Sequence, residues 1–279
     1  MDVTNLPKET PSKLWSLQKK IILVGVLVTW RILLLPLQEV NAQPAAGVGK
    51  NLCDNSMDIQ QLIREAEALL DEIDIMSVEC ARRAYNLADS LKDERSKAEA
   101  MRIWGKAFRI WGNNEKSFEL LMHALMYYQK HGSLKDYAKT STELGETFRA
   151  NASRNLAIET LYKSLILQKW TNDTYGLMIT YNRLAATFFE ILYESNYYQR
   201  IYQDTYHQPE MAQRKISTSA FLQKQFRKVL NYLSKSDSLA KIHTHSGTIV
   251  SNHIIRASLY NNLFQFHEAL SEVNQALGL

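Results

Sequence analysis

Three basic side chains share one stripe of a helical segment near the middle of the chain. Arg102, Lys106 and Arg109 follow one another at i, i+4 and i+7, a spacing that brings residues to one face of a helix. Cationic groups arranged in this way could hold a carboxylate or an acidic peptide. The alternative is an ordinary solvated face whose charge is relieved by Glu99 and Glu146, and the sequence leaves both interpretations open.

The sequence motifs of catalytic and metal sites do not occur in the chain. It has no G-x-S-x-G elbow, P-loop, H-E-x-x-H or Cys-x-x-Cys sequence. His243 and His245, with His253 further on, could suggest metal ligands, but an H-x-H pair at a helix end is usually a solvated turn. We therefore expect a non-enzymatic protein with no metal and no cofactor.

A pattern that returns at a fixed interval indicates which elements must position the basic stripe. Met101-x-x-Trp104-Gly105-x-x-Phe108 returns as Ser141-x-x-Leu144-Gly145-x-x-Phe148 and, with Ala in place of Gly, as Tyr181-x-x-Leu184-Ala185-x-x-Phe188. A second pattern, small-x3-large-x2-small, begins at Ala81, Ser117, Ala157 and Ala269. The tiny residue of the first pattern would let a second helix approach closely. Such fixed-period similarity is typical of stacked helical repeats, and Pro209 is the only proline after Pro44, as helices require.

With these two patterns the chain resembles the tetratricopeptide repeat family, whose motif is W-x2-L-G-x2-Y followed by A-x3-F. The resemblance runs from about Asp58 to Leu279 and is most specific over Gly105–Ala124 and Gly145–Ser164. It implies an all-α, right-handed solenoid of antiparallel helix hairpins, about five repeats long, over residues 57–279. The period, which is the distance from Gly105 to Gly145, is longer than the usual ~34 and implies longer helices or turns.

The resemblance also implies a binding face. In the resembled family, ligands lie along the concave surface made by the first helices of the repeats. Carried over to this chain, that surface contains Glu99, Arg102, Lys106, Arg109, Lys139, Thr142, Glu146, Arg149, Asn182, Ala186 and Phe189. The candidate partner-binding residues among them are Arg102, Lys106, Arg109, Lys139, Arg149 and Asn182.

The repeat spacing indicates one insertion. The interval between first-helix seams lengthens once, from Ala185 to Ala257, and the interval between second-helix patterns lengthens by the same amount, from Ala157 to Val229. Both intervals are explained if extra residues, at about 192–226, lie between the two helices of one repeat. Insertions in solenoids map to one face and often carry binding.

The inserted residues are rich in tyrosine, namely Tyr193, Tyr197, Tyr198, Tyr202 and Tyr206. Tyrosine combines a large contact area with a hydrogen-bonding tip, which favours peptide or sugar contacts. Tyr198 and Tyr202 are therefore candidate partner-binding residues. The spacing of Tyr198, Ile201 and Tyr202 equally fits an extra helix packed on the array.

The chain begins with a basic and then apolar leader. Lys19 and Lys20 precede an apolar run over residues 21–37, which one arginine interrupts. These features favour a cleaved signal peptide over residues 1–42, with an uncleaved membrane anchor or a disordered start as the competing interpretations. Residues 43–56 are a predicted linker. We expect an exported protein, periplasmic or anchored in a membrane through the apolar run, with the repeats outside the cytoplasm.

The charge balance limits the classes of partner, and the cysteines bear on the compartment in which the protein acts. The chain has 33 Lys and Arg against 29 Asp and Glu, of which five and three lie in residues 1–42. The remainder is too balanced for a nucleic-acid-binding surface. Cys53 and Cys80 are the only cysteines. A disulfide between them is conceivable in an oxidising compartment, while two unconnected thiols are the favoured interpretation.

A protein- or peptide-binding scaffold outside the cytoplasm is the function that these features favour. The alternative is the sensory, ligand-binding region of a bacterial signal-transduction system of the histidine-kinase or regulator type, which long-period exported repeat arrays resemble. The pattern that begins at Ala269 ends at Leu279 without a polar capping helix, and an uncapped repeat exposes an apolar face. We therefore also expect that two copies could pair through this end.

Overall fold

The computed structural model describes residues 53–54, 56–71, 74–205 and 208–278, and in these residues it contains helices and no strand. The helices are α1 (Ile59–Asp71), α2 (Met76–Ser90), α3 (Glu94–Ile110), α4 (Asn114–His131), α5 (Leu134–Ala150), α6 (Arg154–Trp170), α7 (Thr174–Glu194), α8 (Asn196–Thr205), α9 (Pro209–Thr218), α10 (Ala220–Ile242), α11 (Ser246–Asn262) and α12 (Phe266–Gly278). The predicted all-α class is confirmed. The leader and most of the predicted linker lie outside the described residues.

One type of turn recurs between the helices. In each of these turns, a residue with positive φ follows shortly after the end of the helix. These residues are Lys92, Gly112, Ala152, Asn172, Thr244 and Phe264. The N–H of Asp93 then donates to the carbonyl of Ala88, and that of Ser153 to the carbonyl of Phe148, both at 2.9 Å. This Schellman-type closure satisfies carbonyls that a helix end leaves unpaired. The Asp93 carboxylate also accepts the N–H of Ser96 at 3.1 Å and so begins the next helix.

The helices pair as five hairpins in the described part of the chain: α1–α2, α3–α4, α5–α6, α7–α10 and α11–α12. Helices α1 to α6 each pack against the next helix of that series, and α1 also contacts α3 while α3 contacts α5. The long hairpin is joined where the Ser236 hydroxyl of α10 donates to the carbonyl of Met178 in α7 at 3.0 Å. We call α1, α3, α5, α7 and α11 the first helices of the hairpins.

The glycine seams are the closest approaches within two hairpins. A Cβ atom added to Gly105 would lie 2.8 Å from Cγ of Leu121, and one added to Gly145 would lie 2.8 Å from Cγ of Leu161. Both leucines are fully buried. The prediction that a tiny residue lets the second helix approach closely is therefore confirmed.

Replacing Gly145 with alanine is expected to destabilise the protein by about 1 kcal/mol. The added methyl group must displace buried Leu161, which costs about 1–3 kcal/mol. The higher helix propensity of alanine offsets about 1 kcal/mol of this cost. Gly247 of α11 is a matched control, since its added Cβ would meet nothing closer than 3.6 Å. Gly247→Ala should leave stability unchanged or raise it. Urea unfolding followed by circular dichroism measures both, and an equal response of the two variants would contradict the close crossing.

The described residues belong to two compact units. One lies within Ala46–Thr187 and Ser234–Thr244, and the other contains Phe188–Leu233 and His245–Leu279. The first unit holds the hairpins up to α5–α6, together with most of α7 and the end of α10. The second holds the rest of those two helices, α8, α9 and the last hairpin.

Two extra helices, α8 and α9, lie between α7 and α10, in the sequence range of the predicted insertion. Tyr198 of α8 is 1% exposed, and its hydroxyl donates to the carbonyl of Asn262 at 2.8 Å. Its ring neighbours Tyr202, whose ring in turn lies 6.1 Å from that of Phe264. Burial raises the pKa of the Tyr198 hydroxyl. The packing interpretation accounts for Tyr198.

The two cysteines form a disulfide, so the favoured interpretation of unconnected thiols is wrong. Cys53 and Cys80 are both fully buried, with Cα atoms 5.1 Å apart. The carbonyl of Cys53 also accepts a hydrogen bond from the Arg83 guanidinium. The bond fastens the segment before α1 to α2. A separation of 27 residues in sequence could not reveal this, because pairing depends on how the hairpin folds back.

Candidate partner-binding face

The predicted basic residues lie on the first helices, and all of them except Lys106 form ion pairs with carboxylates. Arg102, Lys106 and Arg109 are on α3, Lys139 and Arg149 are on α5, and Asn182 is on α7. Ion pairs link each of these helices to a neighbouring first helix. We call these pairs, which involve Glu67, Glu143 and Glu146, the charged row.

The first part of the charged row joins three helices through one carboxylate. Glu67 of α1 accepts from the Arg102 guanidinium of α3 at 3.1 Å and from the Lys139 ammonium of α5 at 3.2 Å. Arg102 is only 2% exposed, whereas the Lys139 side chain is 45% exposed. Burial opposes the ionisation of Glu67, but the two cations prevail and lower its pKa. Arg102 is thus an internal tie, and Lys139 reaches the surface.

The next pair joins α3 to α5. The Arg109 guanidinium donates to Glu143 at 2.9 Å, and both side chains are largely buried. Burial of Glu143 is again outweighed, here by Lys106 and Arg109, so that its pKa is lowered. Lys106 is half-buried, and among the described residues no carboxylate lies within ion-pair distance of it. The Lys106 ammonium is therefore not held in an ion pair by these carboxylates, although its charge helps to keep Glu143 ionised.

Glu146 of α5 is the most deeply buried carboxylate of the charged row, with 1% of its side chain exposed. Arg149 donates to both of its oxygens, at 3.0 and 3.1 Å. The guanidinium of Arg183 in α7 lies 3.3 Å from the second oxygen. Burial would raise the pKa of Glu146, but Arg149 and Arg183 outweigh it and lower the pKa to about 2. Glu146 therefore stays ionised and ties α5 to α7.

A buried hydroxyl cluster lies beside the charged row. Thr142 of α5 contacts Ser164 of α6 at 2.7 Å and Thr180 of α7 at 3.0 Å through their hydroxyl oxygens. The Gln168 amide donates to the Thr142 hydroxyl at 3.2 Å. Thr142, one of the residues that the resemblance assigns to the binding surface, is therefore occupied inside the protein.

The remaining candidates differ in accessibility. Asn182 is 4% exposed, and Tyr198 is 1% exposed. Tyr202 is half-buried. Binding by these residues, as by the basic ones, stays a prediction. Of the remaining candidates, Lys139 is exposed, while Lys106, Arg109, Arg149 and Tyr202 are half-buried.

The candidate histidines have local partners. His243 contacts the Thr174 hydroxyl at 3.0 Å, and His245 accepts the N–H of Thr248 as the cap of α11. His253 lies 2.6 Å from Glu272. In the described ranges no group of three or more His, Cys, Asp or Glu is arranged to hold a metal ion. Over the same residues, no helix has the length and apolar character needed to cross a bilayer.

The fold has known counterparts among solved structures. BtubC (BKLC) from P. vanneervenii is 13% identical to the chain, with 97% of this chain and 91% of that one covered and a TM-score of 0.50. A kinesin light chain-type protein with nearly identical TPR-like repeats from Podosopora anserina is 14% identical, covers 83% of this chain and 96% of its own, and has a TM-score of 0.49. No protein-family model and no curated protein matches the sequence. The described helices thus form a TPR-like helical repeat fold, as predicted.

Proposed function

We propose that the chain is a protein- or peptide-binding scaffold that acts outside the cytoplasm, through the face of its first helices. A TPR-like repeat fold fits a protein-binding role. The observation that carries the proposal is the lateral contact of α1, α3 and α5, tied by the Glu67–Arg102 and Arg109–Glu143 ion pairs. Such a face is several helices wide and is held rigid before a partner arrives, which lowers the entropic cost of binding.

The charged row divides the candidate residues into two roles. Arg102, Arg109 and Arg149 are committed to internal carboxylates and act as the rigid floor of the face. Lys106 and Lys139 carry the remaining accessible charge. Because a partly exposed ammonium group can turn towards a new carboxylate at little cost, the two lysines are the expected contacts for an acidic group of the partner.

Two features support a location outside the cytoplasm. A buried disulfide joins Cys53 and Cys80, and disulfides persist mainly in oxidising compartments. The apolar run over residues 21–37, with its basic flank, has the composition of an export signal or anchor. No feature of the described residues favours the alternative, a sensory region, over a scaffold.

Site-specific photo-crosslinking in the producing cell tests the binding face. A photoreactive phenylalanine analogue replaces Lys106 or Lys139 in the full chain. Lys163 of α6, whose side chain is 65% exposed, is the matched control position. We expect one discrete adduct from the two face positions and none from the control. Adducts of equal yield at all three positions, or none at Lys106 and Lys139, would contradict the assignment.

A fusion reporter tests the location. Residues 1–49, placed before alkaline phosphatase, are expected to give an active reporter, because that enzyme needs disulfides that form outside the cytoplasm. Removing residues 19–37 is the control and should abolish activity. An inactive full-leader fusion, with the reporter protein present in the cell, would refute export.

A further inference from the structure

One helix carries the largest surplus of positive charge among the described helices. α10 contains five Lys or Arg residues and one Asp, a surplus of four, and the formal charge of the whole chain is +4. The α3 helix comes next, with five basic and two acidic residues. Some exposed cations elsewhere have a local carboxylate, as Lys163 has Glu159 at 2.7 Å.

Three of the α10 cations form a cluster. Lys224, Arg227 and Lys228 stand at i, i+3 and i+4, with Asn231 at i+7, so they share one side of the helix. The opposite side, with Leu222, Val229 and others, is buried. Lys224 and Arg227 are exposed. Within the described ranges, none of the three cations has a carboxylate at ion-pair distance.

The cluster borders a shallow groove lined by Lys224, Gln225, Arg227, Lys228 and Asn231. One wall is fixed, because the Lys228 ammonium lies 3.6 Å from the ring centroid of Phe188 in α7, a cation–π contact. The amides of Gln225 and Asn231 each offer two donors and an acceptor. The groove thus combines unpaired positive charge with groups that can pair with a peptide backbone.

We propose that this groove binds an acidic segment of a protein partner, a second contact separate from the face of the first helices. The occupant follows from charge complementarity: like charges held close together repel one another until an anion enters. A peptide fits better than a lipid surface, because the charged groups line a recess with two amides. The inference rests on the proposed binding function, which it extends to the second helix of the α7–α10 hairpin.

Fluorescence anisotropy of the full chain with a labelled peptide of alternating glutamate and serine tests the proposal. A twin peptide with glutamine for glutamate is the ligand control. The variant Lys224→Gln/Arg227→Gln removes two groove charges, and Lys130→Gln/Lys135→Gln removes two exposed charges outside it. We expect the groove variant to bind about tenfold more weakly and the control variant as wild type does, since losing close charge contacts weakens binding by this order. The glutamine peptide should not bind.

Other outcomes overturn the proposal. Absent binding, or binding that the groove variant leaves unchanged, refutes the acidic-peptide site. Binding of phosphatidylglycerol vesicles through Lys224 and Arg227, without binding of the peptide, assigns the groove to a membrane surface instead. Adducts at Lys106 and Lys139 remain a separate readout. If they form while the acidic peptide fails to bind, the groove inference falls and the proposed function stands.

Discussion

Replacing Glu146 with glutamine is expected to lower the free energy of unfolding by about 3 kcal/mol near neutral pH, which is the scale of removing one partner from a buried ion pair. The carboxylate ties Arg149 of its own helix to Arg183 of α7, and only 1% of its side chain is exposed. Glutamine keeps the size and one hydrogen-bond acceptor but removes the charge. Two guanidinium groups then lose their shared counter-ion in a partly buried environment.

The same variant should change the pH dependence of stability. The pKa of Glu146 is lowered from 4.5 to about 2 in the folded protein. A lowered pKa contributes stability that is present above the unfolded value and is lost as pH falls towards the folded value. Wild type should therefore lose stability between about pH 5 and 2, and Glu146→Gln should show a shallower decline.

Urea unfolding over this pH range, followed by circular dichroism, measures both effects. Glu159→Gln is the control, because Glu159 pairs with Lys163 on the surface of α6 and 61% of its side chain is exposed. It should change stability little. If Glu146→Gln and Glu159→Gln unfold alike at neutral pH, Glu146 does not tie α5 to α7.

Removing the disulfide is expected to destabilise the protein by about 3 kcal/mol, because the cross-link closes a loop of 27 residues and restricts the unfolded chain. The variant Cys53→Ala/Cys80→Ala keeps both sites small and apolar. The segment before α1 should also lose its attachment to α2, since the remaining tie described there is the Arg83 hydrogen bond to the carbonyl of Cys53.

Denaturant unfolding with and without reductant measures the disulfide contribution. Reduced wild type should match the double variant, and the variant itself should not respond to reductant. A wild-type midpoint that reductant leaves unchanged, after mass spectrometry has verified that the bond is broken, would contradict this contribution.

The repeat spacing predicted the architecture because the same helix crossing recurs once in each repeat. Gly105 and Gly145 stand one period apart since each faces a leucine of the second helix at the same crossing. The one lengthened interval, from Ala185 to Ala257, corresponds to α8 and α9. The turns were harder to predict from the sequence, because their positive-φ positions are often occupied by residues other than glycine, such as Lys92. The closing hydrogen bonds, rather than residue type, hold those turns.

The sequence predicted which helices carry the basic residues of the candidate site, but it did not predict their carboxylate partners. The stripe of Arg102, Lys106 and Arg109 suggested a surface for an anion, yet Glu67 and Glu143 already occupy two of its cations. These carboxylates lie 35 and 34 residues from their arginines, on adjacent first helices. Only the lateral register of the helices brings them together, and that register depends on turn geometry.

The charge count over the whole chain did not reveal the basic groove of α10. Counted over the chain, basic and acidic residues nearly balance, which argued against a nucleic-acid-binding surface. Counted helix by helix, α10 carries the largest surplus, followed by α3. A helical-stripe count over 220–242 would have found Lys224, Arg227 and Lys228 together. The structure was needed to show that no carboxylate of the described residues lies at ion-pair distance from these three cations.

The affinity of the crosslinked partner for charge-reversed variants tests the central claim most directly. Isothermal titration compares wild type with Lys106→Glu/Lys139→Glu, and with Lys163→Glu as the control at an exposed position of α6. We expect the double variant to bind at least about tenfold more weakly, because reversed charge on a binding face repels the partner's acidic group, while the variant stays folded at the assay temperature and the control affinity is unchanged. Undiminished affinity of a fully folded double variant would show that the face of the first helices is not where this protein binds.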